Sequence, residues 1–143
     1  YEYGRLGERD DFKAYMYYSL AAALAPSSEA LYKLGDMFAR GRAVERSMSK
    51  ALVLWERSLS IARDAEEESQ PAIRIAPLLI DPQSADELGV PFDPLRALEL
   101  YGKAEIGLRI SIDKGLVYYG KRLQQAIDGQ NQARALLAGL ELR

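Results

Sequence analysis

A chain of 143 residues, 48% of them hydrophobic, is long enough for one domain with a sizeable core and too apolar for a disordered tail. Its 19 basic and 21 acidic residues leave a formal charge of −2, which argues against a nucleic-acid binder held mainly by phosphate contacts. Cysteine and histidine are absent, which excludes a disulfide framework, a thiolate nucleophile, a cysteine metal cage and the commonest general base. No apolar run approaches the ~18 residues of a membrane span, so direct membrane insertion is not expected. The first residue is Tyr1, and the chain is expected to be a fragment or a processed product.

In chain order, "YEYGRLGERDDF" reads as the end of one helix and "KAYMYYSLAAALA", from Lys13, as a second; residues 1–25 make a partial unit. The next segment, "PSSEALYKLGDMFARG", spans 26–41. Ser28 is its expected N-cap and Gly41 its C-terminal glycine, with Leu31, Leu34 and Phe38 at helical spacing. Gly35, mid-helix, costs about 1 kcal/mol against alanine, so a neighbouring helix is expected to pass close by. "RAVERSMS" turns the chain. "KALVLWERSLSIARDAEEES" is then expected as one helix over 50–69, burying Leu54, Trp55, Leu59 and Ala62, and closes a unit over 26–66. The acidic run Asp64, Glu66, Glu67 and Glu68 falls at that helix's end or in the following linker and reads as a solvated face.

"QPAIRIAPLLI" (70–80) is the next expected helix. Pro71 suits its first turn, and Pro77 should kink or shorten it. A long turn, "DPQSADELGVPFD", leads to "DPLRALELYGKAEIGL" (93–108), giving a unit over 70–108. Residues 111–143 read as a degenerate or partial unit of two helices, in which Gly115 and Gly120 match Ala30 and Gly35.

The second helices repeat one phrase. Lys13-Ala14, Lys50-Ala51 and Arg96-Ala97 are each followed, four residues past the alanine, by an aromatic ring: Tyr18, Trp55 and Tyr101. Arg134-Ala135 is a weaker copy without the ring. The spacing, about forty residues, is that of two-helix repeats. A small residue beside a large one at fixed period is how a solenoid packs each repeat on the next, so the rings read as core and not as a ligand box. The expected fold is all-α: an α/α solenoid, a right-handed superhelix of two-helix repeats, with two to three complete units and partial units at the ends.

The pattern A-x-x-x-L-G-x-x-F-x-x-G, then G-V-x-x-D-x-x-K-A-x-x-x-W/Y, resembles the Sel-one-like repeat, a relative of the tetratricopeptide repeat. Ala30, Leu34, Gly35, Phe38, Gly41, Val44, Lys50, Ala51 and Trp55 carry it in the second unit. In the third it rests on Ala72, Gly89, Val90, Asp93, Arg96, Ala97, Tyr101 and Ala104. The first adds Tyr1, Gly4, Asp10, Lys13, Ala14, Tyr17, Tyr18, Ala21 and Ala22. Pro77, the long turn and the missing ring of the last unit depart from it. The resemblance implies a scaffold or adaptor that brings proteins together, in degradation, signalling or envelope systems, with no catalysis in the repeats.

No Gly-rich phosphate loop, HExxH or GxSxG motif occurs, so no catalytic, cofactor-binding or metal-binding residue is assigned, and no cofactor. The expected partner is another protein or a peptide, not nucleic acid. First helices of such repeats line the concave face, which places Tyr32, Lys33, Asp36 and Arg40 there from the second unit, Arg74 and Leu78 from the third, and Tyr118, Lys121 and Gln125 from the last. This mildly basic, aromatic set suits a peptide with some acidic character. The alternatives are a structural spacer or a self-assembly module associating through incomplete end repeats and, more remotely, a carboxylate-dependent hydrolase.

Overall fold

The computed structural model describes the backbone of residues 2–141 and the side chains of residues 10–141. Helices follow one another throughout, and no strand occurs among the described residues. The chain gathers into two compact units, Tyr1–Ala62 and Arg63–Arg143.

The first unit holds α1 (Glu2–Leu24), α2 (Ser28–Arg40) and α3 (Met48–Ile61), with α2 packed on both of the others. The N-cap of α2 is Ser27, one residue earlier than expected; its hydroxyl accepts the Ala30 N–H at 3.0 Å. Ser28 is instead buried and faces α3. Its Oγ lies 3.1 Å from the Ser58 carbonyl and 2.9 Å from the Ser58 Oγ, while Ser58 Oγ donates to the Ser28 carbonyl at 2.7 Å. Gly41 ends α2 in the left-handed conformation, φ 69°, and donates to Met37 O.

One turn pairing at Ser28–Ser58 and another at Gly35–Ala51 fix α2 and α3 as an antiparallel hairpin. Gly35 is where the two helices touch. A Cβ there would lie 2.6 Å from Trp55 Nε1 and 3.2 Å from the Ala51 carbonyl oxygen. Trp55 and Ala51 are both buried, and Trp55 Nε1–H is shared between Tyr32 O at 3.2 Å and Asp36 Oδ1 at 3.1 Å. Of the stripe expected on α3, Trp55 is buried, whereas Leu54, Leu59 and Ala62 are only half-buried; Ser58 takes the inner position instead. The repeated cation also has a role. Ser47 caps α3 and accepts from Lys50 N, and the Lys50 Nζ lies 5.5 Å over the Phe38 ring, which meets Tyr15 edge-on. A cation poorly placed for the helix dipole thus gains a ring face.

The second unit holds α4 (Ala65–Ile75), a 3₁₀ segment (Ala76–Ile80), α5 (Pro82–Leu88), α6 (Pro94–Asp113), a short 3₁₀ turn (Val117–Tyr119) and α7 (Gly120–Glu141). Here α6 is the centre and packs on α4 and α7. The helix expected over 50–69 is two helices. α3 stops at Ile61, and Asp64 caps α4 by accepting from Glu67 N at 2.9 Å. The acidic run is therefore the first turn of α4, where the helix dipole favours it. Pro71 lies inside α4 and is buried, not in its first turn. Pro77 shortens the helix as expected: α geometry ends at Ile75 and continues as 3₁₀.

The long turn contains α5, capped by Asp81, and Asp93 N then returns to Leu79 O at 2.8 Å before Asp93 caps α6. The core beneath is built from Ile73, Ile75, Ala97, Ala104 and Leu108, all fully buried. Across α4 and α6, Glu66 meets Ser111 and Lys114 while Glu68 meets Lys103 at 2.7 Å, so these helices are antiparallel too. Two helices were expected in the degenerate or partial unit over 111–143; among the described residues a single α-helix begins there. α6 runs on to Asp113, and one continuous helix, α7, follows. Its Gly129 lies directly against the Tyr101 ring, so any side chain there would collide.

Candidate interaction site

The α1–α2 junction forms a polar cleft of about 220 Å³, lined by Asp11, Ala14, Tyr18, Lys33, Asp36, Met37, Arg40 and Arg42. Three of the expected positions, Lys33, Asp36 and Arg40, meet here because residues three and four apart on α2 share one face. Lys33 is held on both sides. Its Nζ bonds Glu29 Oε1 at 2.7 Å and lies 5.6 Å over the Tyr18 ring. The hydrogen bond to Glu29 raises its pKa well above the ordinary lysine value, against a smaller opposing effect of burial, so it is a fixed cation. Asp36 is positioned by Trp55, which couples the cleft to the hairpin core. Arg40 and Arg42 are exposed at the rim, and Met37 is buried beneath them. Arg42 lies past Gly41 in the turn, outside any helical pattern; Asp11, on α1, was separated from α2 in sequence. Neither was anticipated.

Tyr32 does not belong to this surface. It stands at 9% exposure on the inner side of α2, with its carbonyl accepting from Trp55. Being adjacent to Lys33 in sequence turns it about 100° around the helix.

In the second unit, Lys121 and Gln125 line a shallow surface with Gln124, Asp128, Gln132, Gly129 and Tyr101. These α7 residues follow helical spacing and make an amide-rich face. Gln124 donates to Asp128 at 2.9 Å, and Gln125 accepts from Arg122 at 3.0 Å. Tyr118 is 70% exposed, its ring tilted against Tyr119 in the 3₁₀ turn before α7. Arg74 is half-buried and folds back to donate to Gln70 O at 2.8 Å and Gln70 Oε1 at 3.1 Å. Leu78 is half-buried in the 3₁₀ segment. The nine positions thus divide between two units and a core.

Among the described residues, no cluster of acidic side chains has the geometry to hold a metal ion, and no helix is long and apolar enough to cross a membrane. No curated protein and no solved structure matches the chain. The sequence model of the Sel1 repeat matches residues 1–26, 28–60 and 86–105, more than half of the chain. Sel1 repeats are helical solenoid repeats that generally mediate protein–protein interaction and are generally not catalytic. The capped helix pairs, the glycine–tryptophan contact and this match agree: the chain belongs to the Sel1 repeat family.

Proposed function

We propose that this chain is a non-enzymatic scaffold that binds an acid-bearing peptide segment of a partner protein in the α1–α2 cleft. The observation that carries the reading is the meeting of Lys33, Arg40 and Arg42 around Asp11 and Asp36, beside the Tyr18 ring. Lys33 is already paired with Glu29, so the cations left to meet an acidic partner are the two exposed rim arginines, Arg40 and Arg42. Arginine and lysine at an exposed rim steer an acidic partner and fix its register more than they add raw affinity. The Tyr18 ring, half-buried at the cleft where a packed core ring was expected, supplies apolar surface for the peptide's side chains.

The test is a ¹⁵N-labelled chain titrated with a synthetic twelve-residue Glu/Leu peptide and with its Lys/Leu counterpart. The reading expects saturable shifts at Lys33, Asp36, Arg40 and Arg42 with the acidic peptide alone. The variant Arg40→Glu with Arg42→Glu should weaken that binding about tenfold or more while leaving the helix content unchanged. Equal binding of both peptides, or shifts confined to other residues, would sink the assignment. The amide-rich face of α7 is a second candidate for an extended peptide, since glutamine both donates to and accepts from backbone groups. Shifts clustering at Lys121, Gln124 and Gln125 would favour it instead.

A further inference from the structure

We propose that the face of α7 around Gly129 is a second peptide site, which holds an extended segment of a partner protein by its backbone, with the Tyr101 hydroxyl donating to one of the segment's carbonyls. This site rests on the reading of the chain as a peptide binder and is separate from the α1–α2 cleft.

The phrase repeated along the chain puts an aromatic ring at matching positions of α3 and α6. In both, the ring packs on a glycine of another helix: Trp55 on Gly35, Tyr101 on Gly129. Each ring carries one polar atom. Trp55 satisfies its own inside the hairpin, sharing the N–H between Tyr32 O and Asp36 Oδ1. Tyr101 does not. It is 3% exposed, yet among the described residues nothing hydrogen-bonds its hydroxyl. Every described side-chain polar atom that is sealed from solvent has a partner, so this hydroxyl is not sealed. It opens where Tyr101 joins Lys121, Gln124, Gln125, Asp128 and Gln132 in lining the surface of α7. Burial pushes the phenol's pKa above the ordinary tyrosine value, so it keeps its proton and faces that surface as a donor. A desolvated hydroxyl without a partner is costly, and phenylalanine would fill the same space without that cost. A ligand that accepts the bond explains why the hydroxyl is there.

The groups around it select the ligand's chemistry. Gln124, Gln125 and Gln132 each offer a donor and an acceptor, as every peptide unit does. Lys121 and Asp128 offset one another, so the surface does not single out a charged ligand. From Gln125 to Gln132 the helix rises about 10 Å, the length of about three residues of extended chain. Such a surface reads the backbone of a segment and leaves its side chains loosely specified.

The probe is a neutral, acetylated and amidated twelve-residue Ser/Ala peptide, titrated into the ¹⁵N-labelled chain. Saturable shifts are expected at Gln124, Gln125, Asp128 and Gln132, the glutamine side-chain amides included, and not at Arg40 or Arg42. Tyr101→Phe keeps the ring against Gly129 and should weaken binding about fivefold, the worth of one hydrogen bond. Its melting midpoint should equal or exceed the native one, because no internal bond is lost. The same peptide N-methylated at alternate residues should bind much more weakly. Unchanged binding by Tyr101→Phe overturns the proposal, and so does a lowered midpoint, which would make the hydroxyl structural. Equal binding of the N-methylated peptide would show that the backbone is not read. Maltohexaose shifting these residues where the peptide does not would make the face a carbohydrate site. Shifts at Arg40 and Arg42 alone would remove this site and leave the α1–α2 cleft standing.

Discussion

Gly35 carries two opposite demands. Within α2 it is a poor helix former, worth about 1 kcal/mol less than alanine. Against α3 it is the only residue that leaves room for the Trp55 ring, because a Cβ would come within 2.6 Å of Nε1. Overpacking of this kind costs about 1–3 kcal/mol, more than the helix propensity returns. Gly35→Ala should therefore destabilise the chain, with a lower midpoint in urea denaturation. The same change should loosen Asp36, which shares the Trp55 N–H. An unchanged or raised midpoint would mean that the ring moves aside freely. The contact was legible in the sequence, since a mid-helix glycine between capped ends asks for a close neighbour. The identity of the inward residues around it was less so. Tyr32 and Ser58 are buried although their residue types are common on surfaces, and only the crossing of α2 with α3 decides it.

At the scale of the element, the join between α4 and α6 depends on charge. Lys114 and then Ser111 hydrogen-bond the ionised Glu66, which holds its pKa below the ordinary 4.5. The native chain thus binds that proton less readily than the unfolded chain does. The stabilisation is complete above the ordinary value and is lost as pH falls through the lower native one. Glu105 behaves alike at the α6–α7 join, through Gln130 first and then Arg109. Glu66→Gln should flatten the acid limb of a thermal-stability profile between neutral pH and the carboxylate range. An acid limb as steep as the native one would assign the effect to other carboxylates. Helix boundaries are also where sequence and structure part. Asp64 followed by Glu67 is a capping pair, and Glu67 Oε2 accepts from Arg63 N at 3.4 Å. Read as the tail of an acidic run, the pair concealed a new helix start. In α7 the error ran the other way. Two helices were expected over 111–143, yet Gly129 lies against the Tyr101 ring inside one unbroken helix, α7. The face shared by Lys33, Asp36 and Arg40 was legible because spacing alone fixes it. Which residues of other elements complete it was not.

For the molecule as a whole, burial is unevenly distributed, and each unit has its own gradient. In the second unit Ile73, Ile75, Ala97, Ala104 and Leu108 are fully buried on α4 and α6. In the first, no residue of 10–24 on α1 is fully buried, while α2 and α3 contribute Leu31, Met37, Ala51 and Trp55. Native-state hydrogen exchange should follow this order. Amides of α6 should be the slowest in their unit, and those of α1 should exchange well before those of α2. Uniform protection along the first unit would contradict it.

The Ser28–Ser58 contact has a consequence for how this sequence can change through descent. The two hydroxyls and two carbonyls satisfy one another out of reach of water. Each hydroxyl donates to the other residue's backbone carbonyl, which an alanine would keep, so losing one serine removes one buried bond, at about 1 kcal/mol, and leaves the other bond in place. Positions 28 and 58 can therefore change one at a time, provided that each replacement is small. Size is what descent must conserve there, because a large side chain at either buried position would push α2 and α3 apart.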